Sequence, residues 1–118
     1  MKVASLTVAV VLTVKNDPAG CAETVRSLLA QTRRPDEIVL VDGGSHDETV
    51  AAALDLAQTD ARIRLIEAPG ANIARGRNIG TQATTARIIA TTDSGCRAES
   101  DWLEKLVKPF EDDPQTEF

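Results

Sequence analysis

Aromatic residues are scarce: 118 residues hold two Phe, one Trp and no Tyr. That argues against a base-stacking surface for nucleic acid and against an aromatic platform for sugars. Histidine occurs once, which excludes a histidine-rich metal site. The two cysteines, Cys21 and Cys96, lie too far apart for a zinc-type spacing and are expected as free thiols. Basic residues are outnumbered, 13 Lys and Arg against 18 Asp and Glu, for a net charge of −5. They do not cluster, so nucleic acid is not an expected partner. No apolar run approaches the ~20 residues of a membrane span. Met1 to Val10 superficially resembles a secretory leader but lacks a small-residue cleavage site. It runs straight into Lys15-Asn16-Asp17-Pro18, so it reads as a first strand of a cytoplasmic chain.

What is present is a regular exchange of short apolar runs and amphipathic stretches. Residues 7–13 are apolar or β-branched throughout, as in a strand covered on both faces. Asp17-Pro18 is a helix start, and Cys21, Val25, Leu28 and Leu29 give that helix its face to about Gln31. Glu37 to Asp42 is a second strand. Ser45 with Glu48 fits a capping box for the next helix, with Asp47 competing. Val50, Ala53, Leu54 and Ala57 are its expected buried face. Arg62 to Glu67 alternates, as an edge strand does. Asn72 caps a third helix to Ala83, whose face of Ile73, Gly76, Gly80 and Ala83 is mostly small. Glycines there imply close approach of backbone to a ligand or a sheet. Arg87 to Asp93 reads as a buried fourth strand. Ser100 then caps a last helix striped by Trp102, Leu103, Leu106, Val107 and Phe110. Four β-α repeats with right-handed crossovers predict one α/β domain over residues 1–118. Its expected form is a Rossmann-like, doubly wound, mainly parallel sheet with helices on both faces.

In such sheets ligands bind at the carboxyl ends of the strands. Three strand ends deliver polar residues to one rim: Thr13, Val14 and the loop to Asn16; Asp42 with Gly43; Asp93 with Ser94. Arg77 and Asn78 add a cation and an amide. Two acids, an arginine and glycine-bearing turns suit a nucleotide with a diphosphate. The competing reading of Asp93 is a turn residue that caps its own backbone. A dinucleotide fold needs Gly-x-Gly-x-x-Gly after the first strand, and residues 13–17 contain no glycine. A P-loop is absent for the same reason. A phospho-acceptor domain would want an Asp ending the third strand, where Glu67-Ala68-Pro69 stands.

From Val8 to about Val107 the chain resembles the nucleotide-binding half of family 2 glycosyltransferases, which have the GT-A fold. Val10 to Asn16 is similar to that family's opening strand and its Pro-Thr-Tyr-Asn turn. Ser27-Leu28-Leu29-Ala30-Gln31-Thr32 resembles Ser-Leu-Leu-x-Gln-Thr. The stretch from Glu37 to Thr49 resembles Glu-Ile-Ile-Val-Val-Asp-Asp-Gly-Ser-x-Asp-x-Thr. Ala74 to Gly80 resembles Ala-Ala-Ala-Arg-Asn-x-Gly. Asp93, followed by Asp101-Trp102-Leu103, is similar to the metal motif and the helix after it. The resemblance implies a nucleoside-diphosphate sugar as partner, with an unassigned acceptor. Thr13, Val14 and Asn16 would contact base and ribose, Asp42 with Gly43 the base, and Arg77 the base or diphosphate. Asp93, beside Ser94, would bind Mn²⁺ or Mg²⁺ with the diphosphate.

Several positions depart from the pattern. Val14-Lys15 replaces the turn's aromatic. Gly43 and Gly95 replace the second acids of the base and metal motifs, with Glu99 a candidate substitute for the latter. No residue matches the family's catalytic base or its acceptor half, so none is assigned here and the domain is expected to be a truncated half. The parent would transfer sugar with inversion. The alternative is an α/β module that keeps only the fold and acts by association. A sugar nucleotidyltransferase would want a glycine-rich turn after the first strand. An uncovered sheet edge leads to an expected homodimer.

Overall fold

The computed structural model describes residues 6–112. Strands β1 (Val8–Val14), β2 (Glu37–Asp42), β3 (Ile63–Glu67) and β4 (Ile88–Asp93) alternate with helices α1 (Pro18–Leu29), α2 (Thr49–Thr59), α3 (Ile73–Gln82) and α4 (Trp102–Asp112). The sheet order is β3-β2-β1-β4, and every pairing is parallel. The chain winds outward from β1 to β3, then returns to lay β4 on the other side of β1. The crevice between the ends of β1 and β4 is therefore the topological switch point, where ligands of open α/β sheets bind.

Strand β1 is buried along its whole length because it has a layer on each face. Val8, Val10, Leu12 and Val14 point into the larger core with Val25 and Leu28 of α1, Ala53 of α2 and Leu103 and Val107 of α4. Val11 joins Val39 and Val41 on the opposite face, where Ile79 of α3 packs. The small face of α3 explains how one helix covers that side: Gly76 lies over Thr13, and Gly80 over Val11 and Val41. The backbone approaches the sheet there.

Local signals set most boundaries. Asp17 caps α1 by accepting from Gly20 N–H at 3.0 Å, and Pro18 fills the first turn. Asn72 caps α3, accepting from Arg75 N–H at 2.8 Å. The capping box at α2 is not formed. Glu48 makes no side-chain cap, Ser45 is drawn to Asp42, and the competing Asp47 accepts from Thr49 N–H at 2.9 Å. The first turn of α4 is closed by Trp102 N–H on the Glu99 carbonyl, while the Ser100 carbonyl accepts from Thr32 N–H.

Three packing expectations are corrected. Leu54 is 47% exposed, and Leu56 packs beside Ala57 instead. With Ala53 pinned in the core, positions three and four residues on share its face and Leu54 is rotated away. Helix α1 ends at Leu29, and Gln31 becomes a buried clamp. Its amide donates to the Ser27 and Glu99 carbonyls and accepts from Leu103 N–H. Strand β4 is an edge strand of the described sheet. Ile88 and Ala90 are buried but Thr91 is exposed, because α3 lies over β1 and β2. Among the described residues no helix is long and apolar enough to cross a membrane.

Candidate nucleotide site

A cleft of about 660 Å³ opens at the carboxyl ends of the strands. Its walls come from the ends of β1 and β4, from Gly43, and from the segment leading into α3. Of the residues expected from sequence, Thr13, Val14, Gly43, Asp93 and Ser94 line it.

Asp93 is the centre of the polar network. It is the register partner of Thr13 across β1 and β4. Thr13 Oγ1 donates to Asp93 Oδ1 at 3.1 Å. Arg77 reaches over from α3, and its Nη2 donates to Asp93 Oδ1 at 3.0 Å and Oδ2 at 2.9 Å. Both side chains of the pair are about two-fifths exposed, 41% and 42%. Such a pair adds only ~1 kcal/mol or less to stability. The Arg77 Nε–H is buried and has no hydrogen-bond partner among the described residues. Leaving a donor so is costly, and it marks the guanidinium as incompletely satisfied.

Arg77, Asp42 and Asn16 are not among the residues that line the cleft; Asp42 is buried, and Asn16 is exposed on the loop after β1. Asp42 is 2% exposed. Its Oδ2 accepts from Gly44 N–H at 3.0 Å and Ser45 N–H at 2.9 Å, and its Oδ1 from the Ser45 hydroxyl. Asn16, at φ 52°, donates its N–H to Ser45 Oγ at 2.8 Å and accepts from His46 N–H at 2.7 Å. These bonds lace the loops after β1 and β2 together, and His46 serves as a turn residue. Asn78 is exposed outside the cleft lining.

Other residues at the cleft were read from sequence for different reasons. Asp17, assigned only as a cap, also lines the cleft, where its Oδ2 accepts from Ser94 Oγ at 2.9 Å. Lys15 lines the mouth. Ile73, expected against the sheet, lines the cleft and is 56% exposed. A large exposed apolar residue in the first turn of a helix at the switch point is the signal that would have found it.

The two motif glycines fit their backbone. A β-carbon at Gly43 would lie 2.8 Å from the Ala71 carbonyl oxygen, so a side chain there displaces the segment that leads into α3. Gly95 has φ +89°, a region that favours glycine. Thr24, buried on α1, accepts from Gly95 N–H at 3.0 Å and donates to the Cys96 carbonyl at 2.7 Å, fixing this loop. Glu99 is exposed and outside the cleft lining. Cys21 and Cys96 are free thiols. Cys21 is buried, and its pKa is pushed up to about 11 by burial, with the Asp17 and Asp42 carboxylates adding.

Among the described residues no three His, Cys, Asp or Glu side chains converge as a metal cage. Asp93 alone presents a carboxylate beside the Thr13 hydroxyl. Magnesium-type sites in nucleotide enzymes commonly use one or two carboxylates, with substrate phosphates and water filling the shell. The donor set fits a cation that arrives with a diphosphate.

Residues 9–116 match the model described as Glycosyl transferase family 2. The chain belongs to that family. It is 33% identical over 93 residues to the glucosyl-dolichyl phosphate glucuronosyltransferase of Haloferax volcanii, covering 79% of this chain and 30% of that protein. It is 31% identical over 104 residues to the uncharacterized glycosyltransferase EpsJ of Bacillus subtilis, covering 88% of this chain and 30% of that one. The family 2 chain thus spans less than a third of these relatives. The mannosyltransferase PcManGT from Pyrobaculum calidifontis, solved with GDP-Man and Mn²⁺, superposes with a TM-score of 0.80 at 26% identity. That match covers 90% of this chain and 32% of the other. S. aureus TarS 1-349 in complex with UDP gives 0.78 at 17% identity and shares the GT-A fold.

Proposed function

We propose that the cleft is a donor site for a nucleoside-diphosphate sugar, and that the whole protein transfers the sugar to an acceptor with inversion. The observation that carries this reading is Asp93 at the switch point, held between Thr13 and Arg77. A carboxylate, a hydroxyl and a guanidinium at one strand end suit a ribose and a diphosphate. Asp93 is the residue that would hold Mn²⁺ or Mg²⁺ with the diphosphate, where the ion would neutralise charge on the leaving group. Inversion needs a carboxylate within hydrogen-bond reach of the acceptor hydroxyl. That base is assigned to a part of the protein outside this chain.

Calorimetric titration of the chain with UDP and GDP, with and without Mn²⁺, tests the reading. Binding by one of them, weakened at least about tenfold in Asp93→Asn, is expected. Failure of both nucleotides to bind under either condition would remove the donor assignment.

A further inference from the structure

Arg77 and a divalent cation would use the same atoms. Nη2 lies 3.0 and 2.9 Å from the two oxygens of Asp93, so the guanidinium sits on the chelating side of the carboxylate, where a cation held by both oxygens would lie. The pair is about two-fifths exposed and leaves the Arg77 Nε–H buried without a partner among the described residues, which makes it easy to separate. A diphosphate in the cleft offers the guanidinium a higher negative charge and oxygens enough for both Nε and Nη2, whereas Asp93 engages Nη2 alone. We propose that Arg77 is a placeholder on Asp93, so that cation and nucleotide diphosphate bind together and each weakly alone. The diphosphate draws Arg77 off the carboxylate, and the freed carboxylate takes the cation. This rests on the donor reading of the cleft. Linkage makes the effect reciprocal: whatever factor the diphosphate adds to cation affinity, the cation adds to diphosphate affinity.

The test is Mn²⁺ titration, followed by electron paramagnetic resonance of free Mn²⁺, on the chain with and without UDP or GDP. It compares the unmodified chain with Arg77→Gln and Arg75→Gln, each checked for folding by circular dichroism. Without nucleotide, Arg77→Gln is expected to bind Mn²⁺ at least about fivefold more tightly than the unmodified chain, the low end of ordinary coupling. Arg75→Gln removes an exposed positive charge from the same helix, outside the cleft lining, and should leave nucleotide-free Mn²⁺ affinity within about twofold. In Arg77→Gln the gain in Mn²⁺ affinity on adding nucleotide should shrink by about the same factor, leaving the part that phosphate ligation supplies. Unchanged or weaker Mn²⁺ binding by nucleotide-free Arg77→Gln would overturn the proposal, even with nucleotide binding intact. Tighter Mn²⁺ binding by that variant, with no nucleotide bound by any form, would establish the competition at Asp93 and remove the donor reading instead.

Discussion

Gly80 of α3 sits so close to Val11 of β1 that a β-carbon on the glycine would lie 2.4 Å from Val11 Cγ1. Val41 Cγ2 would be 3.1 Å away on the other side. Alanine at position 80 would gain ~1 kcal/mol of helix propensity, but overpacking a core contact costs ~1–3 kcal/mol. Gly80→Ala is expected to lower stability on balance, measured by urea unfolding. Val11→Ala in the same chain should recover part of the loss. A stabilised single variant would show that α3 is free to lift off the sheet.

Restoring the second acid of the base motif is expected to harm the protein. In Gly43→Asp the new side chain meets the Ala71 carbonyl, and Gly70 N–H already bonds the Gly43 carbonyl at 3.1 Å. The two loops cannot part without losing that bond. A fall in unfolding free energy of ~1–3 kcal/mol is expected, with no gain in UDP or GDP binding by calorimetry. Unchanged stability would mean the loops separate easily.

Ile73 separates binding from folding. At 56% exposure it contributes little to the core, yet it lines the cleft. Ile73→Ser should keep the unfolding free energy within ~0.5 kcal/mol. Nucleotide affinity should fall several-fold, since ~2 kcal/mol accompanies full burial of such a side chain. An affinity equal to that of the unmodified chain would place the base and sugar elsewhere in the cleft.

The two thiols should behave oppositely. Cys96 is exposed and is expected to react at once with a disulfide reagent such as DTNB, whereas Cys21 should react only as fast as the protein opens. The Cys21 thiol is held near 11 in the folded protein against an ordinary 9.0. Below pH 9 both folded and unfolded chains keep this proton, and nothing is lost. Between 9 and 11 the unfolded chain releases it first, so stability falls as pH rises through that window. Cys21→Ala should flatten this alkaline limb when unfolding free energy is plotted against pH.

Much of the site was legible in the sequence because it depends on strand ends. Apolar runs that stop at Thr13 and Asp93 on neighbouring parallel strands bring those residues together, and the register pairs them. Asp17 and Asn72 declare their helices through local bonds that need no tertiary context. The Arg77–Asp93 contact was not legible. It depends on how deeply α3 settles, which Gly76 and Gly80 set against Thr13 and Val11. The bonds of Asp42 were not legible, because a strand-ending acid can face a ligand or its own turn. Here two backbone N–H groups and a hydroxyl of the turn donate to it. Leu54 was placed on the wrong face because a run of apolar residues leaves the helix phase open until one of them is pinned.

The edge position of β4 gives the strand that carries Asp93 two clocks. Ile88 N–H bonds the Thr7 carbonyl and Ser94 N–H the Thr13 carbonyl, so alternate amides face β1. The amides of Ile89, Thr91 and Asp93 fall on the outer side, where the described sheet has no further strand. In deuterated water the outer set should trade hydrogen within moments, while the inner set waits for β4 to peel away. Any strand or segment that docks beyond β4 would slow those three outer amides first, before it altered the cleft itself.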